Sequence, residues 1–327
     1  MRYSCVRTIM LAAVVAAATM ASAQRVSGMQ TGPALILRPW QEPTHMEVDT
    51  DMRLFEPARV DDAGEDVRLR RYEFSGRFRL DAEPGDEEVR FGYETIYWDV
   101  RSKDDALPER LSDSSVALGW SRELPEHRRA GVVTGIGYAG DRRFGTRSAF
   151  YIKGNVIFQQ PLDERSMLTF TLNYDENRTI WPDVPLPMVS YSHRFNDVLS
   201  YTLGVPISSV HWSPNERLEL SASYAPALTF SGRAVFHLDQ SWQIFAQYRN
   251  EFRAFAVDDD IDRRTFFRQS RLEAGLKYHP HHQWYAMLAG GLAFKQSLER
   301  GWDVRSTRTV RDFGSARFLR AAVGLEF

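Results

Sequence analysis

Tyr72-Glu73-Phe74-Ser75-Gly76-Arg77-Phe78-Arg79-Leu80 sets Tyr72, Phe74, Phe78 and Leu80 on one face of an extended chain and Glu73, Ser75, Arg77 and Arg79 on the other. Successive side chains of a strand point to opposite faces, so a period of two with one apolar row and one charged row reads as a strand with two unlike surroundings.

The pattern recurs down the chain. Leu168, Phe170, Leu172 and Tyr174 alternate with Thr169, Thr171 and Asn173. Leu218, Leu220, Ala222 and Tyr224 alternate with Glu219, Ser221 and Ser223, and Leu272, Ala274, Leu276 and Tyr278 with Arg271, Glu273 and Lys277. Turn residues separate the runs, among them Glu83-Pro84-Gly85-Asp86, Pro161-Leu162-Asp163 and Ser213-Pro214-Asn215. No long segment after residue 30 sustains the i, i+3, i+4, i+7 spacing of a helix. The chain reads as all-β with about 14 to 16 strands, Pro33–Arg38 and Ile207–Trp212 being the weakest.

The two faces decide which all-β fold is expected. A soluble sandwich shows its polar face to water and buries the apolar one. Here long arginines occupy the polar face strand after strand, and the apolar rows end in Tyr174, Tyr224, Tyr278, Trp242 and Trp284. A transmembrane antiparallel up-and-down β-barrel explains both features: apolar residues meet lipid, aromatic belts mark the interfaces, and polar residues line the lumen. Only every second residue then meets lipid, which fits a mean hydropathy of −0.40 in a chain of 327 residues. A β-propeller or solenoid would show a fixed repeat, and none is present.

Composition narrows the function classes. No apolar run after residue 23 reaches the roughly 18 residues of a membrane helix, which excludes a polytopic helical protein. A formal charge of −2 argues against a nucleic-acid partner. Arg2 and Arg7, the apolar Ile9–Thr19 and the small Ala21-Ser22-Ala23 form the pattern of a secretory signal peptide, with cleavage expected between Ala23 and Gln24. Cys5 lies before that apolar core, so the mature chain is expected to lack thiols and thiolate metal sites. Residues 1–23 are thus assigned to a signal peptide. Residues 24–66, with Pro33, Pro39, Pro43 and Pro57, are an irregular segment that is a periplasmic tail, a lumen plug or a first strand; residues 67–327 are the barrel.

The last strand runs Leu319, Ala321, Val323, Leu325 and Phe327 against Phe318, Arg320, Ala322, Gly324 and Glu326. An amphipathic final strand ending on an aromatic resembles the assembly signal of bacterial outer-membrane barrels, with Phe327 as its key residue. The chain also resembles a family of bacterial outer-membrane β-barrel proteins classed only as a domain of unknown function. That likeness rests on Leu203-Gly204-Val205-Pro206, Trp212-Ser213-Pro214-Asn215-Glu216, Tyr224-Ala225-Pro226 and the closing strand. It implies fold, outer-membrane location, surrounding lipids and the barrel assembly machinery as partners, and transfers no catalytic residue.

No nucleophile elbow, P-loop, HExxH or zinc spacing is present, so neither enzyme activity nor a cofactor is expected. Ser208, His211 and Asp197 form a conceivable hydrolase set but read as turn and interface residues. His279, His281 and His282 crowd one short turn, and Asp258–Asp262 lacks the glycine and terminal glutamate of a calcium loop. The expected function is a porin-like channel for small polar solutes; a barrel-borne lipid-modifying enzyme and a closed structural or adhesion barrel are the alternatives. The sequence does not fix the oligomeric state.

Lumen charge follows from the alternation. Arg71, Arg77, Arg79, Arg90, Arg233, Arg249, Arg253, Arg271, Arg320, Lys153, Lys277 and Lys295 are expected inward, against Glu73, Glu94, Glu219, Glu251, Glu273, Glu326 and Asp239. The positive excess predicts a weak anion preference.

Overall fold

The computed structural model describes residues 30–38, 45–61, 64–81, 86–142, 144–225, 229–257, 263–281 and 283–327. The proposed signal peptide with its cleavage site at Ala23 and Gln24, the run Asp258–Asp262 and His282 lie outside them.

In chain order the strands are β1 (Met46–Phe55), β2 (Ala58–Arg59), β3 (Asp66–Arg79), β4 (Glu87–Arg101), β5 (Arg110–Leu124) and β6 (Arg128–Gly140). They continue as β7 (Phe150–Pro161), β8 (Ser166–Asp175), β9 (Leu186–Arg194), β10 (Leu199–Val205), β11 (Ser208–Asn215) and β12 (Leu218–Ala225). The last are β13 (Thr229–His237), β14 (Trp242–Ala256), β15 (Arg264–His281), β16 (Trp284–Gly301), β17 (Arg308–Phe313) and β18 (Ala316–Glu326). One helical turn, α1 (Ala34–Leu37), precedes them. The short β2 and β17 extend β1 and β18 at the rim, leaving 16 antiparallel strands in one closed barrel. Closure comes from β1, which pairs with β3 on one side and β18 on the other, Glu47 opposite Glu326 and Phe55 opposite Phe318. Closing the sheet removes the edges that a membrane could not satisfy. The fold is an all-β, up-and-down barrel of the kind that spans a membrane with strands.

Two boundaries differ from the sequence reading. The barrel opens at Met46, not at residue 67, because Met46, Val48, Thr50, Met52 and Leu54 alternate with Glu47, Asp49, Asp51 and Arg53. Pro33–Arg38 is not a strand: its unbroken Ala34-Leu35-Ile36-Leu37 run forms α1 inside the lumen, where no second, polar face is required. Ile207–Trp212 falls largely within β11.

The start of β1, Phe327 and most of the short hairpins share one end of the barrel, here the turn end, while the two-residue β10–β11 connection lies at the opposite one. The longer connections 102–109, 141–149, 176–185 and 302–307 share the other, the loop end. Outward residues such as Ile136, Leu203, Leu288 and Leu319 are 60–65% exposed in the isolated chain, as a lipid-facing wall requires. Trp120, Trp212, Trp242 and Trp284 lie toward the turn end of their strands and belong to an interfacial belt. The wall is uneven. β15 and β16 are 18 residues long, while β10, β11 and β12 have 7, 8 and 8.

Candidate functional site: a divided lumen

The lumen is where the sequence placed its charges, and two fillings divide it. The first is apolar and sits at the loop end. Phe55, Ile96, Trp98, Phe255, Phe267, Phe313 and Phe318 belong to one buried cluster contributed by β1, β4, β14, β15, β17 and β18. The Trp98 ring lies 4.6 Å from Phe267 and 5.9 Å from Phe55, and Arg71 caps it at 5.5 Å. Here the walls meet: Ala256 of β14 pairs with Gly140 of β6, a strand that is not its neighbour in the barrel. Removing each large side chain from water stabilises this closure by about 1.5–3 kcal/mol. Connections add a second layer above it. The Val304 amide donates to Thr179 O at 2.9 Å, Arg264 donates to Arg178 O at 2.9 Å, and Arg305 stacks 4.8 Å from the Trp181 ring. At the same rim Arg311 bonds Asp104 at 2.5 Å, and that hydrogen bond holds the Asp104 carboxyl below its ordinary value.

The second filling is residues 30–38, at the turn end. Leu35 and Ile36 bury against Ala117, Val133 and Ile157 of β5, β6 and β7. Two glycines make room. A Cβ on Gly92 would lie 1.7 Å from Gln30 O, and one on Gly119 2.6 Å from Ile36 Cγ2. The C-terminal carbonyls of α1, which have no partner within so short a helix, are met by Arg90: its Nη1 donates to Leu35 O at 3.0 Å, Ile36 O at 3.1 Å and Arg38 O at 2.9 Å. Arg77 donates to Arg38 O at 2.8 Å, and Arg38 pairs with Glu47 at 3.0 Å. Farther in, Thr31 Oγ1 lies 2.9 Å from Ser115 Oγ and 2.5 Å from Lys153 Nζ.

Between the fillings runs a network of ion pairs. Glu251 receives Arg71 at 3.2 Å, Arg253 at 2.8 Å and Arg271 at 2.7 Å. Arg253 also reaches Asp113 at 2.8 Å and Glu94 at 3.4 Å. Arg320 joins Asp51, at 2.6 Å, to Glu273. Arg79 pairs with Glu88 at 3.2 Å, and Arg77 with Glu47. So the structure sets Arg71, Arg77, Arg79, Arg253, Arg271, Glu251 and Glu273 on the inward face and engages each with an opposite charge. Arg233 stacks on Phe245 at 5.2 Å, and Arg249 shares the field of Glu251.

Three placements differ from the charge reading. Glu47, Asp49 and Asp51 line the lumen as part of β1 and offset cations that the sequence left unmatched. Asp239 lies in the β13–β14 turn, where its Oδ1 accepts the Ser241 and Trp242 amides. Lys295 sits exposed in a register shift between β15 and β16 with φ at 49°.

The hydrolase set is not assembled. Ser208 faces outward and bonds to Gly204, while His211 faces inward and Asp197 lies in the β9–β10 turn. His211 instead has Ser213 Oγ 3.0 Å from its Nε2 and Glu219 3.7 Å from its Nδ1, and His237 approaches the other Glu219 oxygen at 3.6 Å. Strand parity is the signal that predicts this row, since positions 211 and 213 share a face. No group of three potential metal ligands occurs among the described residues.

The remaining side of the lumen is not filled. Of the inward positions of β8 to β11, Thr171, Asn173, Ser190, Ser192, Thr202, Ser209 and Ser213 are partly exposed and Thr169, Ser200 and His211 are buried, whereas the whole inward row Arg90, Glu94, Ile96 and Trp98 of β4 is buried. Where β7 and β8 face β14, a cavity of about 230 Å³ opens, lined by Tyr151, Lys153, Asp175, Arg249 and Glu251 among others.

No family model matches the chain, so the resemblance to a family of unknown function holds only at the level of the outer-membrane β-barrel. No curated protein matches it either. Solved structures do. The toluene transporter TodX of Pseudomonas putida is 11% identical over 93% of this chain and 94% of its own, with a TM-score of 0.40. OccAB4 of Acinetobacter baumannii is 7% identical over 88% and 99%, with a TM-score of 0.35. The translocator domain of the autotransporter NalP from Neisseria meningitidis is 9% identical over 88% and 90%, with a TM-score of 0.29. With scores this low, none of them bears on what this barrel does.

Proposed function

We propose that this barrel is a channel for small polar solutes, narrowed by residues 30–38 at the turn end and carrying a weak preference for anions. One observation supports it above the others: most hydroxyl- and amide-bearing inward positions of β8 to β11 stay partly exposed, Thr169, Ser200 and His211 excepted, while the inward row of β4 opposite is buried. A barrel built only as a structural element has no need of a solvated, polar half. In this reading the turn end lies in the periplasm, and lipids of the outer membrane surround the apolar wall. The anion preference rests on Arg194, Arg233 and Lys277, partly exposed inward cations of β9, β13 and β15, set against Glu219 of β12. Reconstitution in planar bilayers tests the proposal. Discrete conductance steps that enlarge when residues 24–38 are deleted support it; silence from correctly inserted protein overturns it.

The row Ser213–His211–Glu219 favours a second reading, an enzyme on the barrel. Its nitrogens are disposed as a general base requires, Nε2 toward the hydroxyl and Nδ1 toward the carboxylate. It faces the lumen, however, while acyl chains lie outside, so a lipid substrate would have to pass the wall. Lipid turnover abolished by Ser213→Ala would favour this reading over a channel.

A further inference from the structure

Lys153 and Asp175 are register partners on β7 and β8, facing the same side of the wall. Opposite charges so placed ordinarily pair. They do not pair here. The Lys153 ammonium donates to Thr31 Oγ1 at 2.5 Å and to Ser115 Oγ at 2.8 Å, both neutral hydroxyls. The Asp175 carboxylate accepts the Asn177 amide at 2.9 Å. Among the described residues neither has an oppositely charged group within 4.0 Å.

Both line the cavity of about 230 Å³ beneath the loop end. Arg253 and Arg178 make their direct contacts elsewhere, although Arg178 still adds to the field at Asp175. Arg253 gathers Glu94, Asp113 and Glu251. Arg178 directs its guanidinium to backbone carbonyls, including Ile180 O at 2.9 Å and Trp181 O at 2.6 Å. A lysine ammonium has three donors, and two are used, so one N–H is left for a ligand. A cation and an anion that line one half-open cavity, neither in an ion pair within 4.0 Å, complement a molecule carrying both charges. The volume is below the range of drug-sized pockets, which limits the ligand to a few heavy atoms.

We propose that this cavity binds a small zwitterion, its carboxylate on Lys153 and its ammonium on Asp175. The inference names the solute class of the channel proposed above and rests on that reading. Because Lys153 also holds Thr31, the site shares a residue with the segment that narrows the turn end.

The test is calorimetric titration of the full barrel in detergent with glycine, β-alanine and γ-aminobutyrate, with propylamine and propionate as single-charge controls. Saturable binding of at least one zwitterion, about tenfold or more weaker in both Lys153→Met and Asp175→Asn, is the expected result. Retained heat-modifiability on gels establishes that each variant is folded, and Lys153→Arg should recover part of the affinity if Lys153→Met does not fold. Absence of zwitterion binding to the wild-type barrel overturns the proposal, as does propylamine binding as tightly as the zwitterions. The channel reading is tested separately by conductance: a conducting barrel that binds no zwitterion defeats only the site, and a binding barrel that does not conduct defeats only the channel.

Discussion

Arg71 and Glu251 meet at 3.2 Å inside the barrel although 180 residues separate them and their strands, β3 and β14, are not neighbours. Both are almost wholly buried, and Glu251 also serves Arg253 and Arg271. Replacing this one carboxylate takes from Arg271 its ion-pair partner and removes one partner each from Arg71, which keeps Glu73 at 2.9 Å, and Arg253, which keeps Asp113 and Glu94. Glu251→Gln is expected to lower barrel stability by about 3–5 kcal/mol, the usual effect of breaking a buried ion pair from one side. Urea unfolding in detergent, followed by gel mobility, measures it; an unchanged midpoint would mean that the network carries no net stability.

That network shows what strand alternation reveals and what it hides. Parity alone is enough to list Arg71, Arg253, Arg271, Glu251 and Glu273 as inward, because a period of two needs no tertiary information. Partners are another matter, since Arg71–Glu251 joins strands that only barrel closure brings together. β1 was legible in principle: Met46, Val48, Thr50, Met52 and Leu54 alternate cleanly, but prolines at 43 and 57 flank a run heavy in acids, and it reads as irregular. The apolar seal was not legible. At Ile96-Tyr97-Trp98 both faces of β4 are apolar, and alternation does not tell a lipid-facing ring from one that plugs the lumen.

The glycines beneath residues 30–38 give a selective way to disturb that segment. A Cβ on Gly119 would meet Ile36 at 2.6 Å and Leu35 at 3.2 Å, both atoms of the segment rather than the wall. Gly232 has nothing nearer than 4.0 Å. Gly119→Val is therefore expected to displace residues 30–38 and raise single-channel conductance at unchanged strand content, while Gly232→Ala leaves conductance alone. Equal conductance in the two variants would show that the segment does not limit the path.

At the rim, Asp104 ties the β4–β5 connection to β17 through Arg311, and its Oδ1 also accepts the Ala106 amide at 2.9 Å. Its carboxyl is depressed below the ordinary 3.8, first by the Arg311 hydrogen bond and then by the Ala106 amide. A depressed acid contributes order above its unfolded pKa and loses it as pH falls through the folded one. The connection should stay protected at pH 5–7 and loosen only below about pH 4. Hydrogen exchange at Ala106, corrected for its intrinsic pH dependence, reads this out; Asp104→Asn should be equally unprotected across the range.

Phe327 combines two roles that substitutions can separate. Its backbone closes the barrel, Phe327 N donating to Met46 O at 2.8 Å and Met46 N returning to Phe327 O at 2.8 Å, while its side chain is 54% exposed. Phe327→Ala keeps the backbone bonds and removes only the ring. A fall in outer-membrane yield from this variant, with export unchanged, assigns assembly to the aromatic side chain. If only deletion of the residue lowers the yield, the closing hydrogen bonds are what matters.

Selectivity should depend on which charges the solute meets, not on the lumen total. Arg71, Arg271 and Arg253 are held by Glu251 and its neighbours in the packed half, where little of their field reaches a passing ion. Arg233 and Lys277 are partly exposed inward residues of β13 and β15: Arg233 lies over the Phe245 ring at 5.2 Å, and Lys277 over the Tyr285 ring at 4.2 Å. A low-dielectric wall lets a few such cations raise the local anion concentration. Arg233→Gln and Lys277→Gln are each expected to move the reversal potential under a salt gradient toward cations, and Glu219→Gln to move it toward anions. All three shifts should shrink as ionic strength rises from about 0.1 M to 1 M, because the screening length falls from about 10 Å to 3 Å. A wild-type reversal on the cation side, or one that none of the three substitutions moves, would defeat the anion preference and leave the channel itself to be judged on conductance alone.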